Sequence, residues 1–317
     1  MTWHWPAALA AVATQLAPVS AAAPEAVVPV AAVAEVDIIE FGQERYRRMT
    51  VPVTIGSEGP FRFMLDTGAQ ATVVSRALAD RLALNDRKMA ILVGMASRMQ
   101  VETTQISDVG LGSRTFYIRN APVVDGENIG GADGILGIDS LQNQRVLLDF
   151  VRGEIAVADA EELGGNRGYE IVVRARQRLG QLIITRAKLD GIRVAVVVDS
   201  GAQNSMGNPE LLRRLRRARN MGETEVTDIN GQSLSGMVKL GSELQIDRAR
   251  LENIPIMFAD SPTFHALGLG DEPAMILGMQ ELKLFRRVAI DFKTRRVLFD
   301  LPPQARIAGR GGVSAFR

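Results

Sequence analysis

Short apolar runs punctuated by turn signals dominate the chain. Residues 49–55 (MTVPVTI) and 182–189 (LIITRAKL) read as strands. Turn signals follow each run, Gly56-Ser57-Glu58-Gly59 in one case and Asp190-Gly191 in the other. A further strand then runs straight into an acidic turn. Residues 61–65 lead into Asp66-Thr67-Gly68-Ala69-Gln70, and residues 194–198 into Asp199-Ser200-Gly201-Ala202-Gln203. Nine residues after each Asp stands a helix N-cap candidate, Ser75 or Asn208, and Pro209 follows at a first helical position. Only short helices are predicted: about 75–84, about 209–220, and a turn or two after each Ile-Leu-Gly. The pattern therefore predicts an all-β fold with a few short helices.

The two acidic turns lie 133 residues apart, and the similarity between their surroundings extends well past them. Asn120-Ala121-Pro122 matches Asn253-Ile254-Pro255 at the same offset. Gly134-Ile135-Leu136-Gly137 matches Met275-Ile276-Leu277-Gly278 at an offset of 141, so the second copy carries eight extra residues between Pro255 and Gly278. RVLLDF at 145–150 matches RVAIDF at 287–292, each read as the closing strand of its copy. The unit, about 110–130 residues long, is far larger than a solenoid repeat and reads as one duplicated lobe. The expected organisation is a lobe over 46–158, a Gly-rich charged linker over 159–168, a second lobe over 169–301 and a disordered tail over 302–317.

Composition narrows the chemistry. Lys+Arg (37) nearly cancel Asp+Glu (36), and a net charge of +1 gives no general field for nucleic acid. The chain has no cysteine and two histidines, His4 and His265, so thiolate and multi-histidine chemistry is excluded and carboxylates are left. No Lys or Arg precedes Arg45, and residues 6–23 are Ala-rich without a charge. Residues 1–23 are read as a signal peptide, which places the protein in the periplasm or the medium; a plain Ala/Pro-rich leader is the alternative. Pro6 and Pro18 interrupt the segment, so no stable membrane span is expected. Residues 24–45 read as a linker or pro-segment.

One Asp-Ser/Thr-Gly triplet is weak evidence, arising by chance on the order of 0.1–0.2 times in a chain of this size. Two copies, each after an apolar strand and each followed later by Ile-Leu-Gly, form a much stronger signal. The chemistry they point to is a carboxylate dyad. Two carboxyl groups from facing loops cannot both ionise cheaply, so they share a proton. The charged one takes a proton from a bound water, and the neutral one hydrogen-bonds the scissile carbonyl. That chemistry requires no metal, cofactor or covalent intermediate.

On Asp66-Thr67-Gly68-Ala69, Gly134-Ile135-Leu136-Gly137, Asp199-Ser200-Gly201-Ala202 and Ile276-Leu277-Gly278, the sequence resembles the retropepsin-like aspartic peptidases over about residues 46–301. The resemblance implies two homologous β-barrel lobes forming a pseudo-two-fold monomer. It makes Asp66 and Asp199 the catalytic pair of an aspartic endopeptidase. Thr67 and Ser200 would bond across the lobe interface, with Gly68, Ala69, Gly201 and Ala202 supporting the loops. It also implies a flap hairpin from each lobe, with Gly94 and Met95 in one and Asn230 and Gly231 in the other. A polypeptide substrate would lie extended in the inter-lobe cleft. The alternatives are a non-catalytic binding or assembly module of the same fold, and a precursor whose residues 24–45 block the cleft. Ala69 and Ala202 offer no hydroxyl to stabilise the charged carboxylates, which predicts activity reaching milder pH.

Other features point to structure rather than to chemistry. The arginine-dense stretch 211–219 is read as a helix with Leu211, Leu212, Leu215 and Ala218 on one face and a solvated basic face opposite, a docking site for anionic lipid or an acidic partner being the alternative. His265 is read as a surface loop residue, and Asp149 and Asp291 as structural.

Overall fold

The computed structural model describes residues 37–40, 42–43, 49–215, 218–302 and 313–315. The expected signal peptide lies outside them. The fold is all-β with five short α-helices among the described residues.

Each lobe is one curled sheet, and the two sheets share a strand order. In the first, the path runs 42–43, Met49–Ile55, Glu58–Leu65, Gly134–Leu136, Val73–Ser75, Arg114–Val124, Arg98–Leu111, Lys88–Val93. In the second it runs Arg176–Arg178, Gln181–Leu189, Ile192–Val198, Ala274–Leu277, Ser205–Gly207, Ala249–Phe258, Ser233–Ile246, Arg219–Thr227. From the second hairpin strand onward the elements correspond one to one. In both, the strand entering the Asp turn pairs in parallel with the Ile-Leu-Gly strand. An added pairing curls each sheet toward a barrel: Thr54 opposite Gly110 in one, Leu189 opposite Leu244 in the other.

The matched RVLLDF and RVAIDF segments do not close their own lobes. They pair with each other, antiparallel, at the centre of a separate six-stranded sheet. Arg145 faces Asp291 and Asp149 faces Arg287 in register, so homologous residues exchange places about Leu147 and Ala289. A duplicated strand meeting its own copy antiparallel can satisfy both ladders with one sequence pattern. What Asp149 and Asp291 share is a cap on the turn that follows, with Asp291 Oδ1 accepting the N–H of Thr294 at 2.7 Å. Asp291 accepts two bonds from buried Arg145 (2.7 and 3.1 Å), and Asp149 caps a turn through the N–H groups of Val151 and Arg152.

Within the expected linker or pro-segment 24–45, residues 37–40 pair with Glu154–Ala158 at one edge of this sheet, and residues 42–43 pair with 49–50. The inter-lobe stretch 159–168 is a run of turns. Matched arginines hold it: Arg145 donates to Gly165 O and Asn166 Oδ1, and Arg287 donates to Gly168 O. In the tail, 313–315 pair in parallel with 249–251, and the remainder beyond 302 lies outside the described residues.

Helix N-caps fall at Ser75 and Asn208, each accepting the N–H three residues on. The helices are shorter than the pattern predicts. Arg76–Arg81 ends before Leu84, and Pro209–Arg214 gives way to a strand from Arg219. Pairing with Ser233–Ile246 claims residues 219 and 220, and 216–217 lie outside the described residues. Leu211 and Leu215 are buried, while Arg213 and Arg214 both pair with Glu210. The eight extra residues of the second lobe accompany a helix, Pro262–Ala266. His265 lies on that helix, exposed, with Nε2 2.7 Å from Asp260 Oδ1. No helix among the described residues is long and apolar enough to cross a membrane.

Candidate active site

The two acidic turns meet. Each Asp folds its own loop by accepting two backbone N–H groups on Oδ1: Gly68 (2.7 Å) and Ala69 (2.9 Å) for Asp66, Gly201 (2.8 Å) and Ala202 (3.0 Å) for Asp199. The glycines have ordinary negative φ, so backbone freedom is not what selects them. Space is. A Cβ on Gly68 would lie 2.4 Å from the Asp199 carboxyl carbon, and one on Gly201 would lie 2.2 Å from that of Asp66. Each glycine makes room for the opposite lobe's acid.

The hydroxyl residues between them lock the turns together. Thr67 N–H donates to Ser200 Oγ and Ser200 N–H donates to Thr67 Oγ1, both at 3.1 Å. Each hydroxyl also donates onward across the interface, Thr67 to Val198 O (3.2 Å) and Ser200 to Leu65 O (2.9 Å). Both side chains are buried, so the four bonds form a closed, water-shielded frame. Ala69 and Ala202 supply backbone N–H groups only, and each packs by its methyl against a small apolar cluster of its own lobe.

Electrostatics couples the pair. The Asp199 carboxyl is pushed well above the usual carboxylate range, first by burial, then by the Asp66 charge and a side-chain hydrogen bond with Asp66. The N–H groups of Ala202 and Gly201 oppose that shift without cancelling it. In the folded protein Asp199 therefore holds its proton to higher pH than an ordinary aspartate does.

Gly94 and Met95 lie in the turn joining Lys88–Val93 to Arg98–Leu111, and Asn230 and Gly231 in the turn joining Arg219–Thr227 to Ser233–Ile246. Both turns are hairpin tips, and they touch: Asn230 Nδ2 donates to Ser97 Oγ at 2.9 Å. Each tip rests on the facing lobe. Met95 packs on the cluster that also carries Ala202, and Ile229 on the cluster that also carries Ala69.

Some residues here lie outside the motifs read from the sequence. Gln181 begins a strand of the second lobe, yet its side-chain amide donates to Gly68 O of the first, and its buried Oε1 has no partner among the described residues. Thr72 and Ser205, 133 residues apart, stand six past each Asp. Each accepts the N–H of the Ile-Leu-Gly glycine and donates to a carboxylate, Asp139 or Glu281. A hydroxyl at a fixed distance after each Asp was the available clue. A groove of about 530 Å³ at the six-stranded sheet, lined by Asp149, Arg152, Glu154 and Arg287 among others, contains no residue of either Asp turn.

Residues 51–143 match the family model described as gag-polyprotein aspartyl protease, and residues 185–280 match the one described as aspartyl protease. No curated protein matches the sequence. Each match spans one Asp turn and one Ile-Leu-Gly segment, and the two sheets follow one strand order. The chain thus belongs to the retropepsin-like aspartic peptidases, with two lobes in one polypeptide.

Proposed function

We propose that the protein is an aspartic endopeptidase that works as a monomer, with Asp66 and Asp199 as its catalytic acids. The observation that carries this reading is the reciprocal approach of the two acids, each admitted by the other lobe's glycine. Backbone N–H groups occupy Oδ1 of both, which leaves Oδ2 of each for a shared proton and a water. Asp66 takes a proton from the water as it attacks the scissile carbonyl. Asp199, holding the shared proton, hydrogen-bonds that carbonyl oxygen as the tetrahedral intermediate forms. A proton then passes to the departing amine. The substrate is a polypeptide, bound extended between the Asp turns and the hairpin tips. A binding module has no need for two acids so closely matched in lobe, spacing and support.

The test is cleavage of an unfolded protein mixture, with new chain ends read by mass spectrometry, beside Asp66→Asn and Asp199→Asn. New ends with wild type and a loss of at least about 10³-fold in each variant are expected. No cleavage by any of the three, or equal cleavage by all, contradicts the proposal. With alanine at 69 and 202, the rate maximum is expected above about pH 3.

A further inference from the structure

One buried carboxylate joins the two hairpin tips, and the Asp-turn motif does not account for it. Asp228 is 4% exposed. Its Oδ1 accepts the N–H groups of Asn230 (2.9 Å) and Gln232 (3.0 Å), which shapes its own turn. Its Oδ2 reaches the other lobe's tip and accepts the N–H of Ala96 (3.1 Å) and the hydroxyl of Ser97 (2.7 Å). An acid that merely formed its turn would use only the first pair. The opposite hairpin is cut to receive it: a Cβ on Gly94 would sit 2.3 Å from Asp228 Oδ2. The second lobe takes another hold on the same tip. Ser261 Oγ donates to Met95 O (2.5 Å) and Thr263 Oγ1 to Gly94 O (3.1 Å). Both lie between Pro255 and Gly278, the interval with the eight extra residues.

We propose that Asp228 is a positioning residue, a latch that holds the two hairpin tips together across the lobe interface and so sets how readily the cleft closes on a peptide. Its consequence for catalysis rests on the peptidase reading; its geometry does not. All four groups bonded to the carboxylate are donors, and charge-assisted bonds in a buried setting are the strong ones. Parting the tips strips Oδ2 of both its partners. Asparagine at 228 would turn an amide N–H₂ toward donors on one side or the other, so it supports the latch only in part.

The chain has no cysteine, so spin labels can be placed freely. Gln100→Cys and Glu223→Cys, exposed positions on the two hairpins, give an inter-label distance by double electron–electron resonance in the full chain. A single narrow distribution is expected with Asp228 present. Asp228→Ala should broaden it and move it to longer distance, with Asp228→Asn between. Gly94→Ala, on the opposite hairpin, should do the same by excluding the carboxylate. Far-ultraviolet circular dichroism checks that each variant is folded. An unchanged distribution in either alanine variant overturns the latch. On a peptide substrate, Asp228→Ala should raise KM about tenfold with kcat within about twofold, because fewer molecules hold the closed form. A loss in kcat at unchanged KM, as from a misfolded fraction, overturns the positioning role. The distance measurement decides the latch even if the protein cleaves nothing.

Discussion

The acids and their loops were legible in the sequence because their information is local: an apolar strand, an Asp, a hydroxyl residue and a glycine, twice. Asp228 was not legible. The flap expected at Asn230 and Gly231 located its turn, but the acid's role depends on a turn 131–132 residues earlier, in another lobe. Gln181 was hidden for the same reason. Glu281 yields a prediction at this scale. It is 2% exposed and accepts from Ser205 Oγ at 2.5 Å. Burial, only partly offset by that bond, raises its pKa from 4.5 to about 7. The folded protein therefore keeps this proton between pH 4.5 and about 7 while the unfolded chain releases it. Stability falls as pH rises through that window, by on the order of 3 kcal/mol from this group alone. Glu281→Gln should flatten that part of the curve, measured as urea unfolding at a series of pH values. The same slope in variant and wild type would show that Glu281 is not the group titrating.

At the level of elements, strands were easier to read than helix ends. Alternating runs and their turns gave Met49–Ile55 as it stands and Gln181–Leu189 to within a residue. Helix Pro209–Arg214 stops early because long-range pairing claims residues 219 and 220, which no local signal reports. The strand ends at the Asp turns are joined by the Thr67 and Ser200 frame. Thr67→Val keeps the shape but removes Oγ1, leaving the Ser200 N–H and Val198 O without those buried partners. A loss of about 2–4 kcal/mol is expected in chemical denaturation. Ser200→Ala should cost a similar amount, and the double variant less than the sum, because both belong to one frame. Full additivity would mean the two sides hold independently.

For the whole molecule, the duplication was readable from offsets, but the destination of its last strands was not. Sequence order suggested that RVLLDF and RVAIDF each close a lobe; instead they pair together and build a sheet between the lobes. A strand's own residues do not say which edge it joins when two equivalent edges exist. One continuous apolar cluster runs from Met49 and Phe63 in the first lobe, through Val146 and Val288, to Phe258 in the second. The buried Arg145–Asp291 pair (side chains 2% and 0% exposed) sits in this shared layer and holds the inter-lobe turns as well. Arg145→Ala leaves a buried carboxylate without its cation, and a loss of about 3–5 kcal/mol is expected. Because the layer belongs to both lobes, unfolding should remain a single transition that moves as a whole. Two separated transitions in calorimetry would show that the lobes are independent.

The proposed function depends on two acids sharing one proton. Carbon-13 NMR of Asp carboxyl groups, assigned through Asp66→Asn and Asp199→Asn, measures this directly. One resonance, that of Asp199, should titrate well above the ordinary aspartate value of 3.8. It should move back toward that value in Asp66→Asn, which removes the neighbouring charge but not the burial. If Asp199 instead titrates near 3.8 in the wild type and is indifferent to Asp66→Asn, the two acids do not share a proton and are not a catalytic pair.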